Sequence, residues 1–205
     1  MNFKYLSFSQ AICLPIYVSR NTLLLNTSGK ISIKSPLSRG MIKIGFGECG
    51  IFDKNRSRTI LDLNGEIIFN GMALIGHGSK ISVSRLGILE IGNNFKISAE
   101  TSIVCHHRII IGNDCLFSWD ILIMDSDLHK VIDDKGNYVN LPKPIKIGNN
   151  VWIGCRCLIL KGVEILNGNI IAANSTITKT KNVSNAIIGG IPTRILKDKI
   201  TWREL

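Results

Sequence analysis

The sequence is short of proline, aromatic residues and acidic residues, and these shortages limit what its charge can indicate. Its 205 residues include 5 prolines, 6% aromatic residues and 15 acidic against 25 basic residues, for a net charge of +10. Because the basic residues form no long run, aromatics are scarce and no nucleic-acid-binding motif occurs, nucleic acid is not a predicted partner. The charge remains compatible with an anionic membrane surface or a phosphate-rich cofactor.

Long hydrophobic runs are also missing. The longest early apolar stretch, Ala11 to Val18, contains Pro15 and is too short to span a bilayer, so no integral membrane segment is predicted. It has neither the clean apolar core nor the cleavage site of a signal peptide, and we expect residues 1–28 to pack against the domain. The six cysteines lack the spacing of a disulfide framework, which predicts reduced thiols in a cytoplasmic protein.

The composition that is present favours a single β-rich domain. The length suits one domain with a full core, and 45% of the residues are hydrophobic. Isoleucine and valine together account for 43 residues, 35 of them isoleucine, and 19 residues are glycine. This loading with β-branched residues favours strands over a helical bundle.

An aliphatic residue recurs at every sixth position in the C-terminal half. The run is Ile147, Ile153, Ile159, Ile165, Ile171, Ile177 and Val183, and its phase extends back through Ile123, Phe117 and Ile111. A second run, offset by two residues, is Ile91, Ile97, Ile103 and Ile109. A six-residue unit fits a short strand and a sharp corner, three units close a triangular coil, and stacked coils pair as parallel strands about 4.8 Å apart. The repeat therefore predicts an all-β fold, a parallel β-helix.

The repeat also divides the chain. We expect one domain over 1–205, with an N-terminal packing segment at 1–28 and a helical C-terminal segment at 189–205. Between them we expect the β-helix at 29–188, with an irregular repeat to about 88 and a regular repeat from 89. A loop at 125–144 interrupts the regular part. A loop of that length in a compact coil is usually functional. It holds the densest group of titratable side chains in the sequence, among them Asp125, Asp127 and His129.

Two motifs flank this loop and resemble those of a known family. The run from Ser118 to His129 resembles the S-W-x-x-x-I-x-D-x-D-x-H signature of sugar and polysaccharide O-acetyltransferases among the hexapeptide-repeat acyltransferases. Ile147 to Gly154 is similar to the I-G-x-x-V-W-I-G motif with which that family resumes its repeat. The resemblance covers Leu89 to Lys197 and, more loosely, Gly29 to Gly87. It implies that the β-helix is left-handed.

The resemblance implies a catalytic role for His129, the general base of that family. Imidazole is suited to accept a hydroxyl proton near neutral pH, and either Asp125 or Asp127 is expected to orient the ring. The backbone at the Gly154–Cys155 corner is a candidate N–H donor to the oxyanion of the tetrahedral intermediate.

Acetyl-CoA is the implied acyl donor. In the resembling family coenzyme A lies in a cleft between neighbouring subunits, and the matching positions here are Trp152, Ala173, Thr178, Lys179, Arg194 and Lys197. Trp152 would line the cleft, the Ala173 backbone would contact the pantetheine arm, and Arg194 and Lys197 would approach the phosphates.

No metal site is predicted. Carbonic anhydrases that share the resembling fold use three histidines, at spacings that the four histidines here do not reproduce. Cys115 and Cys157 fall on inward positions of the repeat, and Cys105 lacks the third orienting group that a nucleophilic cysteine needs.

The predicted function is transfer of an acetyl group from acetyl-CoA to a sugar or polysaccharide hydroxyl. The alternatives left open are a non-catalytic scaffold, a transferase for a small non-sugar acceptor such as a drug, and a binder of anionic surfaces. A homotrimer is expected, because the resembling family forms one and because outward positions such as Leu158, Leu160, Ile121 and Ile170 are too apolar for water.

Overall fold

A computed structural model describes residues 1–204 of the chain. Within them, two short helices, α1 (Asn2–Tyr5) and α2 (Phe8–Ala11), precede 22 strands. The strands are β1 (Ile16–Val18), β2 (Thr22–Thr27), β3 (Lys30–Ile33), β4 (Ile42–Phe46), β5 (Thr59–Leu63), β6 (Glu66–Phe69), β7 (Ala73–Gly76), β8 (Lys80–Val83), β9 (Ile88–Ile91), β10 (Phe95–Ile97), β11 (Ser102–Cys105), β12 (Arg108–Ile111), β13 (Leu116–Phe117), β14 (Leu122–Met124), β15 (Ile145–Ile147), β16 (Trp152–Ile153), β17 (Leu158–Leu160), β18 (Glu164–Ile165), β19 (Ile170–Ile171), β20 (Thr176–Ile177), β21 (Ile187–Gly189) and β22 (Arg194–Lys197).

Successive strands enter three different sheets, so that every three strands complete one coil. Sheet 1 contains β1-β4-β7-β10-β13-β16-β19-β21-β22, sheet 2 contains β2-β5-β8-β11-β14-β17-β20, and sheet 3 contains β3-β6-β9-β12-β15-β18. Neighbouring strands are parallel throughout, apart from the antiparallel pair β21 and β22. The predicted all-β, left-handed parallel β-helix is confirmed.

The six-residue repeat forms the core of the column. Ile123 pairs with Ile159, which pairs with Ile177, and all three are at most 2% exposed. Burying each such side chain contributes about 1.5–3 kcal/mol, and a one-residue shift in register would expose the whole row. Cys115 and Cys157 are buried as predicted. Ile121, which was expected to face outward, is also buried, because it is the fourth residue after the inward Phe117, the same repeat position that the buried Cys115 and Cys157 occupy.

Small residues after the inward aliphatics allow the corners to stack closely. A Cβ atom on Gly112 would lie 2.6 Å from the carbonyl oxygen of Gly148 in the next coil. The neighbouring corner residues Asn94, Asp114 and Asn150 adopt left-handed backbone angles, with φ between 53° and 57°. Asparagine and aspartate tolerate this conformation better than branched residues, so the corners repeat through the column.

The column begins earlier than residue 29, the start predicted from the sequence. Strand β1 pairs with β4, and β2 pairs with β5 across a register shift between Leu24 and Asn26. The early coils are also longer than the late ones: 22 residues separate the paired Ile81 and Ile103, and 18 separate Ile159 and Ile177. The longer corners hide the six-residue period in the sequence, although the inward aliphatics stack in the same way.

The C-terminal segment is not helical, and that prediction is wrong. The glycine pair before Pro192, with Gly190 at φ +94°, reverses the chain so that β22 runs antiparallel along β21. The following residues then descend beside sheet 1, where the Trp202 indole donates to the Asn150 carbonyl at 2.8 Å and Glu204 pairs with Lys96. Among residues 1–204, no helix is long and apolar enough to cross a membrane.

Candidate active site

The loop at 125–144 leaves the column between β14 and β15 and protrudes from it. Its described secondary structure is one antiparallel bridge between Ile132 and Tyr138. At its base, the Lys143 N–H donates to the Asp125 carbonyl at 3.1 Å. Several apolar side chains of the loop are more than half exposed, namely Leu128, Val131, Ile132, Val139 and Leu141. The loop therefore presents an apolar surface as well as its titratable residues.

His129 is exposed in the first arm of this loop. Its ring Nδ1 lies 3.4 Å from the backbone carbonyl oxygen of Asp127. If Nδ1 carries the proton, it donates to this carbonyl, and Nε2 is left unprotonated as a base. Among residues 1–204, the group that hydrogen-bonds the ring is therefore a backbone carbonyl.

The carboxylate of Asp125 faces the column. The side chain is fully buried, with Oδ1 accepting from the His106 N–H at 2.7 Å and Oδ2 accepting from the His107 N–H at 2.8 Å. Charge-assisted bonds of this kind are about twice as strong as neutral ones. Asp125 thus fixes the turn between β11 and β12 below the loop, and its carboxylate does not contact the His129 ring.

The carboxylate of Asp127 binds two other side chains. Its Oδ2 accepts from Asn140 Nδ2 at 2.6 Å and from the ammonium group of Lys161. These two hydrogen bonds, with that of Lys161 the stronger influence, hold the pKa of the Asp127 carboxyl below its ordinary value. The structure thus brings His129, Asp125 and Asp127 into one loop but pairs both carboxylates with groups other than the imidazole.

Trp152 stands on the outer side of sheet 1, between Leu116 and Ile170 on the neighbouring strands. Its indole donates to Ser118 Oγ at 3.1 Å and remains 36% exposed. The ring centre of Trp202 lies 6.0 Å away at an angle of 47°. Trp152 is therefore held in place and still offers an aromatic surface to a bound molecule.

The corner after Trp152 offers one backbone donor. The Gly154 N–H already donates to the Ile171 carbonyl at 2.8 Å, while the Cys155 N–H has no acceptor within residues 1–204. A Cβ atom on Gly154 would lie 2.8 Å from the Ala173 nitrogen, so glycine is required for the close approach of the two coils. Of the predicted pair, Cys155 rather than Gly154 therefore has the backbone N–H that remains available within the described residues.

The remaining predicted cofactor residues lie in the last coil. Thr178 and Lys179 directly follow β20, and Arg194 and Lys197 belong to β22. All four side chains are exposed, as is Ala173. No salt bridge involves Lys179, Arg194 or Lys197 in the described part of the chain. They leave a basic, accessible end to the column.

Buried cysteines are held as thiols. Burial, followed by the charge of Asp125, raises the pKa of the Cys105 thiol to about 12, and burial raises that of Cys115 to about 11. Cys105 is thus unsuited to act as a thiolate nucleophile near neutral pH. In the described chain, no three His, Cys, Asp or Glu side chains are grouped to hold a metal ion.

Three residues that contact the site residues, Asn140, Lys161 and Trp202, were not predicted from the sequence. A signal for Lys161 was available in the repeat, because Met124 and Leu160 are partners in the ladder and the residues after them, Asp125 and Lys161, leave the column at the same corner. Asn140 lies in the irregular loop and Trp202 follows the chain reversal, so no periodic signal identifies either.

Comparison with known proteins yields one family model. The model described as "Bacterial transferase hexapeptide (six repeats)" matches residues 144–179. This match covers the part of the column that follows the loop.

One curated relative and two solved structures show where the similarity lies. The chain is 30% identical over 112 residues to galactoside O-acetyltransferase of Escherichia coli (strain K12), which covers 54% of each protein, so the match spans about half of that relative. The structure of the polySia specific acetyltransferase NeuO superposes with a TM-score of 0.62 at 23% identity, over 93% of this chain and 83% of that one. A galactoside acetyltransferase in complex with coenzyme A gives a TM-score of 0.52 at 23% identity, over 67% of this chain and 72% of that one. At these identities the two structures establish the fold.

Proposed function

We propose that the chain is a bacterial hexapeptide-repeat transferase and that it transfers the acetyl group of acetyl-CoA to a hydroxyl of a sugar or polysaccharide. The observation that carries the proposal is His129, accessible on the loop that interrupts the column, with its ring beside the Asp127 carbonyl. Trp152 is also exposed, on sheet 1 of the column. The relative that acts on galactosides supports a sugar acceptor, and the complex with coenzyme A supports the donor.

The reaction follows from these groups. Nε2 of His129 takes the proton of the acceptor hydroxyl while its oxygen attacks the thioester carbon and the C–O bond forms. The Cys155 N–H stabilises the oxyanion of the tetrahedral intermediate. The intermediate then collapses, the C–S bond breaks, and the imidazolium returns its proton to the leaving thiolate of coenzyme A. Direct attack requires no covalent enzyme intermediate.

A panel of acceptors tests the proposed activity. Purified protein is incubated with acetyl-CoA and either glycans or small non-sugar alcohols, and the products are analysed by mass spectrometry. Acetylated glycans are the expected product. Acetylation of the small alcohols alone would favour the non-sugar acceptor, and absence of both transfer and acetyl-CoA binding in calorimetry would favour a scaffold.

The basic end of the column supports a prediction about the donor. If Lys179, Arg194 and Lys197 bind the phosphates of coenzyme A, affinity falls with rising salt because surface charges are screened over about 8–10 Å at 0.1–0.15 M. The 3′-dephospho analogue should also bind more weakly than coenzyme A in calorimetry. Lys30→Gln, which changes a lysine in the first coil, is the matched control and should leave both affinities unchanged. Equal affinity of the two cofactors at low salt would contradict this role.

We further propose a homotrimer with active sites between subunits. On the outer side of sheet 2, Leu122 pairs with Leu158, and Val104, Met124 and Leu160 form a second apolar row beside them. Together with the exposed apolar residues of the loop, these rows form a surface that three-fold packing would bury. Two residues expected on this surface lie elsewhere: Ile121 is in the core, and Ile170 is on sheet 1.

Light scattering and a mixing experiment test this assembly. The expected mass is about 68 kDa, three times the chain mass of 22.6 kDa. When His129→Ala chains are refolded together with Trp152→Ala chains, partial recovery of activity is expected, because some interfaces then combine an intact His129 with an intact Trp152. An active monomer, or no recovery in mixtures that form trimers, would contradict the shared site.

The proposed compartment is the cytoplasm. Its support is the acetyl-CoA donor together with cysteines spaced without a disulfide framework, which suits a reducing environment.

A further inference from the structure

One side chain joins the two arms of the loop that carries His129. The Asn140 amide nitrogen Nδ2 donates to Asp127 Oδ2 at 2.6 Å and to the backbone carbonyl of His129 at 2.9 Å. Its oxygen Oδ1 accepts from the Val131 N–H at 2.6 Å. The side chain of Asn140 thus binds the residues two before and two after His129 and the backbone of His129 itself.

Lys161 attaches this cluster to the column. It follows β17, where Leu160 pairs with Met124 in a ladder of the rigid core. Its Nζ donates to the Asp127 carboxylate and to the Asn140 carbonyl, the second at 2.9 Å, and its side chain is only 20% exposed. An ammonium group with two acceptors from different arms of the loop fixes both arms against the same coil.

We propose that Asn140 and Lys161 are positioning residues that hold the His129 imidazole in its reactive place above the column. The inference rests on the proposed function, since it assigns a role in the same reaction. A misplacement of about 1 Å in a reacting group is enough to lower a rate by about 100-fold. The hydrogen bonds of 2.6–2.9 Å around His129 are therefore expected to affect the reaction rate. Neither residue is expected to touch the donor or the acceptor.

The kinetic test uses two variants and two matched controls. Asn140→Ala should lower kcat by roughly 10–100-fold and Lys161→Met by about 10-fold, with KM for acetyl-CoA changed by no more than about threefold. Lys161→Arg keeps a positive donor and should retain most of the activity. Asn137→Ala removes an asparagine that binds Asp133 at the tip of the same loop, at 3.0 Å, and should leave kcat unchanged.

The two residues act through one network, so their effects should not add. The double variant is expected to lose about as much activity as Asn140→Ala alone, because removing either residue frees the same segment. Fully multiplicative losses, or wild-type kcat in Asn140→Ala, would overturn the proposal.

A measurement without substrate separates this inference from the proposed function. Histidine NMR of the full chain, assigned with His129→Ala, follows the His129 ring, and hydrogen exchange follows the Val131 amide. Asn140→Ala should speed exchange at Val131 and shift the His129 ring signals, while Asn137→Ala should change neither. If the wild type transfers no acetyl group, the proposed function fails, and these two signals still report whether the network positions His129. Unchanged His129 ring signals in Asn140→Ala would refute the positioning role of the network.

Discussion

Replacing His129 with alanine is expected to reduce kcat by roughly 10²–10⁴ while affinity for acetyl-CoA stays within about a few-fold. The imidazole is exposed and its ring approaches one protein group, the Asp127 carbonyl at 3.4 Å, so its loss removes the base without disturbing the core. Steady-state kinetics measures the first quantity and calorimetry the second.

His107→Ala is the matched control for this prediction. His107 is also exposed, and its hydrogen bonds in the described chain are made by its backbone: the N–H donates to the Asp125 carboxylate at 2.8 Å and the carbonyl accepts from the Ile88 N–H at 3.1 Å. Because alanine keeps that N–H, activity should be unchanged. Activity of His129→Ala within about tenfold of the wild type would refute the general-base assignment.

The column was predictable because one physical requirement repeats along the chain. Each coil must place an aliphatic residue inward on each of its three sides, and so the period of six appears directly in the sequence from Ile147 to Ile177. The loop was equally visible as the place where this period stops. Its interruption of 24 residues, four periods, leaves the phase intact, and Ile111 and Ile147 are indeed partners in sheet 3.

The ends of the chain were not predictable in the same way. The reversal after Gly189 depends on two glycines and a proline outside the repeat, and β22 then pairs through its backbone, which carries no side-chain period. At the other end, β2 joins the column although Leu24 and Leu25 are exposed, so alternation of burial does not mark it as a strand of the column.

The partners of the two aspartates depend on stacking between coils. Asp125 and Asp127 are two residues apart in one motif, yet the first binds backbone that lies 18 and 19 residues earlier and the second binds a lysine 34 residues later. A local pattern cannot separate these roles. The register of the column separates the two roles, because it places Lys161 at the corner from which the loop leaves and places the turn at His106 beneath that corner.

The second large effect is expected from Asp125, and it concerns stability. Asp125→Ala should lower the free energy of unfolding by about 3–5 kcal/mol, since it removes two charge-assisted bonds and leaves two backbone N–H groups in a buried site without an acceptor. Asp125→Asn should be intermediate, because an amide offers one acceptor oxygen to the His106 and His107 N–H groups and turns a donor towards the other. Urea unfolding, or thermal unfolding at fixed protein concentration, measures these differences.

Asp127→Asn provides the comparison that separates the two carboxylates. Asp127 is exposed and binds Lys161 and Asn140 outside the core, so its replacement should leave the unfolding midpoint unchanged while weakening the attachment of the His129 segment and lowering kcat. Asp125→Asn should lower the unfolding midpoint. Under conditions in which this variant is folded, its kcat should be unchanged, because the turn at His106 is intact and the loop retains its contacts to Lys161. Losing two hydrogen bonds inside the column should lower the free energy of unfolding more than losing two on its surface. Equal unfolding midpoints for Asp125→Asn and Asp127→Asn would therefore show that the buried carboxylate does not fix the turn.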